Sequence, residues 1–143
     1  MQLSEQDRAL LALLGENARS PVAVLARALG LSRTTVQARI ERLEREGVIA
    51  GYGVKLSDAY QSGLIRAHVL ITIAPKTLPA VGAALAAIRE VTALHSVNGS
   101  FDLIAMLAAQ SISELDQLID RIGAIAGVER TLSSIILSTR ISR

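Results

Sequence analysis

Residues 22–43 place the tightest constraint on this chain. Val22, Leu25, Ala26 and Leu29 recur at helical spacing, and Val36, Ile40 and Leu43 do so again. Each set gives a helix one apolar stripe. Gly30 ends the first set, and Ser32, two residues later, opens the helix that carries the second. Glycine takes the left-handed backbone that ends a helix, and a serine side chain accepts the first free amides of the next. Two amphipathic helices joined so tightly bury their stripes by turning sharply against each other, as a helix-turn-helix.

The flanks extend this unit. Ser4 with Asp7 three residues later has the form of a capping box, opening a first helix with Leu10, Leu11 and Leu14 on its apolar side. Ser20-Pro21 predicts the start of the second helix, serine as N-cap and proline in the first turn, where no amide hydrogen is needed. Gly47 is expected to end the third helix. The stretch VIAGYGVKL then predicts two short strands around Gly51 and Gly53, a small β wing closing at Lys55.

From about Leu64 the period changes. IRAHVLITIA alternates like a strand, and Val81, Leu85 and Ile88 mark a helix over 78–88. VTALHSVNGSFDLIAMLA reads as a hairpin turning at Asn98-Gly99. Ser111 and Glu114 form a second capping box before a helix with Leu115, Leu118, Ile119 and Ile122 on one side, and VERTLSSIILSTRI is a last strand. The order βαββαβ predicts a ferredoxin-like domain. The whole is therefore α+β: a winged helix-turn-helix over 1–55, a link over 56–63 with Ser57, Asp58, Ser62 and Gly63, and the ferredoxin-like part over 64–143.

The second part says something about partners. Two helices cover only one face of a four-stranded sheet, yet the strands are apolar on both: Leu103, Ala105 and Leu107 against Ile104, Met106 and Ala108, and Leu132 and Ile136 against Ile135 and Leu137. A sheet with one wet face alternates apolar with polar. A second copy on the uncovered face, a homodimer, is the expectation.

Composition removes several classes. Half the residues are hydrophobic, which excludes disorder, and Tyr52, Tyr60 and Phe101 are the only aromatics. Single-strand nucleic-acid platforms need more rings than that for bases to stack on. With no cysteine there is no disulfide framework, thiolate nucleophile or zinc knuckle. Two scattered histidines and no carboxylate cluster leave no metal site, and no Gly-rich phosphate loop or Ser/His/Asp arrangement is present. No cofactor is expected. The stretch MQLSEQDRALLALL has acids where a signal peptide carries bases, and Asn98-Gly99 interrupts the nearly uncharged 91–113 run, so a cytoplasmic protein away from membranes is expected.

Net charge is only +2, so the position of the cations carries the argument for nucleic acid. With Val36, Ile40 and Leu43 buried, Arg33, Thr34, Gln37, Glu41 and Arg42 lie on or near the free side of the third helix, beside a small Ala38. Arg33, Thr34 and Gln37 are the residue types, near the amino end, that read base edges in a major groove. Ser32 and the helix amino terminus suit a phosphate, and Arg39, Arg42 and Lys55 are candidates for further ones. Arg45, among Glu41, Glu44 and Glu46, reads as an ion-paired surface residue. The expected partner is double-stranded DNA.

These residues carry a resemblance. LGLSRTTVQARIERLEREGVIAGYGVKL resembles the helix-turn-helix and following strands of the leucine-responsive/AsnC (Lrp/AsnC, feast/famine) transcription regulators. VNGSFDLI and VERTLSSIIL resemble that family's Gly-x-x-Asp turn and Thr-x-Thr/Ser closing strand. The resemblance covers nearly the whole chain and implies a winged helix-turn-helix with a RAM-type ferredoxin-like domain. It also implies transcriptional control by dimers that assemble to tetramers or octamers, with a small amino acid as effector in many members. Carried over residue by residue, the effector-binding candidates are Gly99, Ser100, Phe101 and Asp102 with Thr131 and Ser133. Phe101 departs from the family's usual tyrosine.

Two other classes compete. Siroheme decarboxylases resemble the same two-part architecture, and His68 or His95 would be the proton donors of such an enzyme. A pure effector-binding or assembly module would never touch DNA. Neither gives the third helix its purpose.

Overall fold

A computed structural model describes residues 2–143, in two compact units divided between Lys55 and Leu56. The first holds helices α1 (Glu5–Glu16), α2 (Val22–Leu29) and α3 (Arg33–Arg45). Their stripes meet in an aliphatic core of Leu10, Leu25, Ala26, Val36 and Leu43, each 5% exposed or less. Gly30 has φ +67°, and its amide and that of Leu31 satisfy the last carbonyls of α2. Ser32 Oγ accepts from the Thr35 amide at 3.1 Å. The tight turn forms as expected.

Two local expectations fail. Ser20 does not cap α2: Pro21 occupies the N-cap position, with ψ 144°, and no side chain bonds the first amides. Pro21 itself holds extended rather than helical backbone, which moves the start one residue on. The wing strands are also absent, for residues 50–57 carry no helix or strand. Gly51-Tyr52-Gly53 leaves too few residues on either side for two strands and a turn, and glycine weakens both.

α1 and α3 are joined by a polar contact at the rim of this core. Asp7 is 1% exposed. Its Oδ1 accepts from Arg39 Nη1 at 2.9 Å and Arg42 Nη2 at 2.6 Å, and its Oδ2 from the Ser4 amide at 3.0 Å. Burial alone pushes the carboxyl upward. The Ser4 amide and hydroxyl and the two guanidinium groups outweigh it and hold Asp7 well below the ordinary carboxylate range.

The second unit opens with a short helix, α4 (Asp58–Gln61), capped by Ser57 within the stretch read as a link. Then follow β1 (Ile65–Ile73), α5 (Leu78–Ala86), β2 (Val91–Ser96), β3 (Leu103–Ala109), α6 (Ile112–Gly123) and β4 (Val128–Ile135). The sheet order is β2-β3-β1-β4, every pair antiparallel. Ser111 caps α6 as expected, but the Glu114 carboxylate turns back to the Gln110 amide, one residue before the cap.

Alternate residues of the central strands build the core. Ala67, Val69 and Ile71 of β1 and Leu103, Ala105 and Leu107 of β3 pack with Val81 and Leu85 of α5 and Leu115, Leu118 and Ile122 of α6. The residues between them form the other face. Register places Leu70 between Ile104 and Leu132, and His68 between Met106 and Ser134. Leu132 is 57% exposed. Neither α5 nor α6 covers this face.

Gly127, before β4, has φ +101°, and a Cβ there would lie 2.9 Å from Thr77 Cβ and 3.0 Å from Val81 Cγ2. Gly127→Ala is expected to cost about 2–3 kcal/mol in urea unfolding, from strain and overpacking together. Gly82→Ala, inside α5 with nothing within 4 Å, is expected to gain about 0.5–1 kcal/mol. Equal effects of the two would contradict the backbone assigned here.

Asp7→Asn should cost about 2–3 kcal/mol at neutral pH. That is below the range for fully buried pairs, because the Arg39 and Arg42 side chains are 25% and 37% exposed. The folded carboxyl titrates below its unfolded value of 3.8. Its contribution is therefore complete above that pH and fades as pH falls below it. The stability gap between the two proteins should narrow between about pH 5 and about pH 2; a constant gap would mean that the lost charge is not its cause.

Candidate nucleic-acid interface

α3 owes its exposed face to what it buries. Val36 and Leu43 are fully enclosed and Ile40 packs beside them, so the helix turns Arg33, Thr34, Gln37, Ala38 and Glu41 outward. Arg33, Thr34, Gln37, Ala38 and Glu41 line a shallow groove with Val22 and Ala23 of α2. Thr34, Thr35, Ala38, Arg39 and Arg42 line a second along the adjacent side. The structure thus brings the candidate base-reading residues onto one surface, at the amino-terminal half of one helix.

Their occupancies differ. Arg33 and Thr34 have no side-chain hydrogen bond among the described residues, while Gln37 Nε2 donates to Glu41 Oε1 at 3.1 Å. Ser32 Oγ is spent on the cap and on Thr35 Oγ1, 2.8 Å away. Arg39 is held by three residues of the α1 amino end: Asp7, Gln6 through Nη2 at 2.8 Å, and Ser4 at 3.4 Å. Among the described residues Arg42 Nη1 has no hydrogen-bond partner, only Nη2 being engaged. Lys55 Nζ donates to the Gly15 carbonyl at 3.0 Å, tying the segment after α3 to the carboxyl end of α1. Sequence reasoning missed this engagement of the cations. Asp7 lies 32 residues from Arg39, and its local signal is fully explained by the cap it makes with Ser4.

The effector candidates lie at one end of the sheet of the second unit. Asp102 closes the β2–β3 loop against β1: its amide donates to the Ile71 carbonyl and its Oδ2 accepts from the Ile73 amide, both at 2.9 Å. Thr131 pairs with Ile71 from the other side of β1, and Ser133 with Val69. The Arg130 guanidinium sits 5.2 Å from the centroid of the Phe101 ring, linking the loop to β4. Gly99 and Ser100 are exposed at the loop tip. His68 and His95 stand elsewhere, on the uncovered sheet face opposite Met106 and Ile104. Among the described residues no three His, Asp or Glu side chains group as metal ligands, and no helix is long and apolar enough to cross a membrane.

Comparison with known proteins agrees with this architecture. Residues 3–44 match the AsnC-type helix-turn-helix domain, and residues 66–143 match the Lrp/AsnC ligand binding domain. The chain is 36% identical to the HTH-type transcriptional regulator LrpA of Mycobacterium tuberculosis, over 96% of this chain and 91% of that one. Escherichia coli AsnC superposes with a TM-score of 0.89 at 28% identity, covering 100% of this chain and 97% of that one. A Neisseria meningitidis transcriptional regulator, solved as a complex with L-methionine, shares the fold at 22% identity and TM-score 0.88, over 99% and 94% of the two chains. The enzyme reading falls with these names. This chain belongs to the Lrp/AsnC family and is a transcriptional regulator with a helix-turn-helix DNA-binding domain.

Proposed function

We propose that the protein binds a two-fold operator as a dimer, each α3 entering a major groove, and that a small amino acid modulates the binding. The observation that carries the DNA geometry is the face of α3. Arg33 and Thr34 are unengaged, Ala38 lets a backbone approach closely, and the opposite side of the helix is fully buried. Arg33 suits guanine, Gln37 suits adenine once it leaves Glu41, and Thr34 suits a hydroxyl bond or a thymine methyl. Ser32 with the helix amino terminus, Arg39, Arg42 and Lys55 meet the phosphates. Of these, Arg39 and Lys55 exchange partners on binding, and Arg42 has a nitrogen free already.

In this reading residues 1–55 bind DNA, 56–63 link, and 64–143 assemble and sense. The uncovered sheet face, with Leu70, Ile104, Met106 and Leu132, packs on a second copy. Two recognition helices then meet half-sites about one helical turn, or a multiple, apart. Further assembly to tetramers or octamers follows from the family alone. Gly99, Ser100, Phe101 and Asp102 with Thr131 and Ser133 hold the effector, Asp102 meeting its ammonium group and the hydroxyls orienting it. L-Methionine, the ligand of the Neisseria protein, is the first compound to try.

Fluorescence anisotropy tests the reading, with the DNA upstream of the protein's own gene and a random duplex, over a salt series, with and without the twenty amino acids. Preference for the upstream DNA that weakens steeply with salt is expected, because phosphate contacts release counterions. Arg33→Ala should remove about 1–3 kcal/mol of that preference and leave random DNA nearly unaffected. Equal losses on both duplexes would refute base reading by Arg33. Static light scattering at micromolar concentration should give at least a dimer, and a monomer there would sink the assembly proposed for the uncovered face.

A further inference from the structure

Two arginines of the DNA-binding helix converge on one carboxylate that belongs to a different helix. Asp7 Oδ1 takes Arg39 Nη1 and Arg42 Nη2 together, while Oδ2 is fixed by the Ser4 amide. The carboxylate cannot reorient, being 1% exposed and bonded at both oxygens. Arg39 spends its second terminal nitrogen on Gln6 and so is bound to α1 through both. Arg42 is bound through one. Its side chain is 37% exposed, and it lines the groove beside Thr34 and Ala38.

We infer that Asp7 is a positioning residue for DNA binding: it clamps Arg42 by Nη2 and thereby presents Nη1 to a backbone phosphate. This rests on the reading of α3 as the DNA-contacting helix. The argument has two parts. An arginine already fixed at one edge has spent most of its rotamer freedom before DNA arrives, so more of the phosphate contact survives as affinity. The guanidinium is also the one cationic group whose planar fork serves two acceptors on different edges. One acid between two bases leaves a net single positive charge to face the DNA. Before DNA arrives, Arg39, bound to α1 through both terminal nitrogens, holds the axis of α3 while Arg42 reaches out.

Charge alone predicts the opposite of a clamp. Removing a carboxylate near DNA strengthens binding of every sequence and steepens its salt dependence. A clamp predicts that Asp7→Asn weakens binding to specific and random duplexes alike, and that the slope of log K against log salt becomes shallower by about 0.9, one phosphate's share.

The test measures that slope for the full-length protein on a fixed duplex, with melting temperature followed in parallel. The variants are Asp7→Asn, Arg42→Lys, the two combined, and Ser4→Ala. Arg42→Lys keeps the charge but replaces the fork with one compact head. Held by Asp7, that head is lost to the phosphate, so the slope should fall as in Asp7→Asn. The double variant should fall no further than either single one. Ser4→Ala, which loosens the cap and lowers the melting temperature but leaves the ion pairs in place, should keep the full slope. Unchanged slope in Arg42→Lys, additive losses in the double variant, or tighter binding by Asp7→Asn would each overturn the clamp. Should Asp7→Asn fail to fold, Arg42→Lys decides alone, since an ordinary exposed phosphate contact tolerates lysine. Absence of any salt-dependent duplex binding by the unaltered protein is a different failure: it removes the DNA reading, and the clamp falls with it.

Discussion

A carboxylate buried at the edge of an aliphatic core is costly unless its surroundings replace water. Removing a charge of this size from solvent costs several kcal/mol even after relaxation. Asp7 is compensated by a backbone amide and two guanidinium groups, and hydrogen bonds to charged groups are worth about 1.5–3 kcal/mol each. The compensation comes from both sides of the helix-turn-helix. Ser4 belongs to the start of α1, and Arg39 and Arg42 lie on α3. Leu10, Val36 and Leu43 set which sides of those helices turn inward. The ion pairs add direction to that contact. They tie the amino end of α1 to α3, and together with the buried stripe they leave Arg33, Thr34 and Gln37 facing outward.

The second unit is governed by a different constraint, the supply of helices. α5 and α6 cover the face made by Val69, Ile71, Leu103, Ala105 and their neighbours, and nothing in the same unit covers Leu70, Ile104, Met106 and Leu132. The alternation in β3 is complete, each residue being either fully buried or half-buried. The composition of the uncovered face is what supports the second copy proposed for it. Its two histidines, His68 and His95, lie opposite Met106 and Ile104 of β3.

The parts legible in the sequence were those whose cause is local. Gly30 and Ser32 mark the turn because one residue ends a helix and the other starts one, and the periods of α3, β1, β3 and α6 follow from neighbours a few residues apart. Where the cause is distant or finely balanced, reading by pattern fails. The first turn of α2 hangs on the backbone of a single residue, Pro21, which is extended rather than helical. The wing needs a ladder partner that the short GYG stretch does not supply. The pairing of Asp7 with Arg39 and Arg42 has no local trace, since its three members are ordinary surface types at ordinary positions. Asp102 shows the same limit: its spacing from Gly99 is plain in the sequence, but its bond to the Ile73 amide is a matter of sheet register.

That bond bears on how an effector could act. The carboxylate proposed to meet an ammonium group already accepts from the backbone at the end of β1, at 2.9 Å, through Oδ2. An ionised carboxylate has about four acceptor sites, so Oδ1 can take an ammonium without release of the strand. A ligand bound this way joins the loop to β1 more firmly, and its hydroxyl partners on β4 lie across that same strand. The two ends of the site are then the two neighbours of β1, the strand that also supplies His68 and Leu70 to the uncovered face. Small displacements of a central strand move that face as a unit, because packed interiors transmit strain. Under the assembly proposed above, a ligand at the sheet's end would thus have a physical route to the face proposed to pack on a second copy.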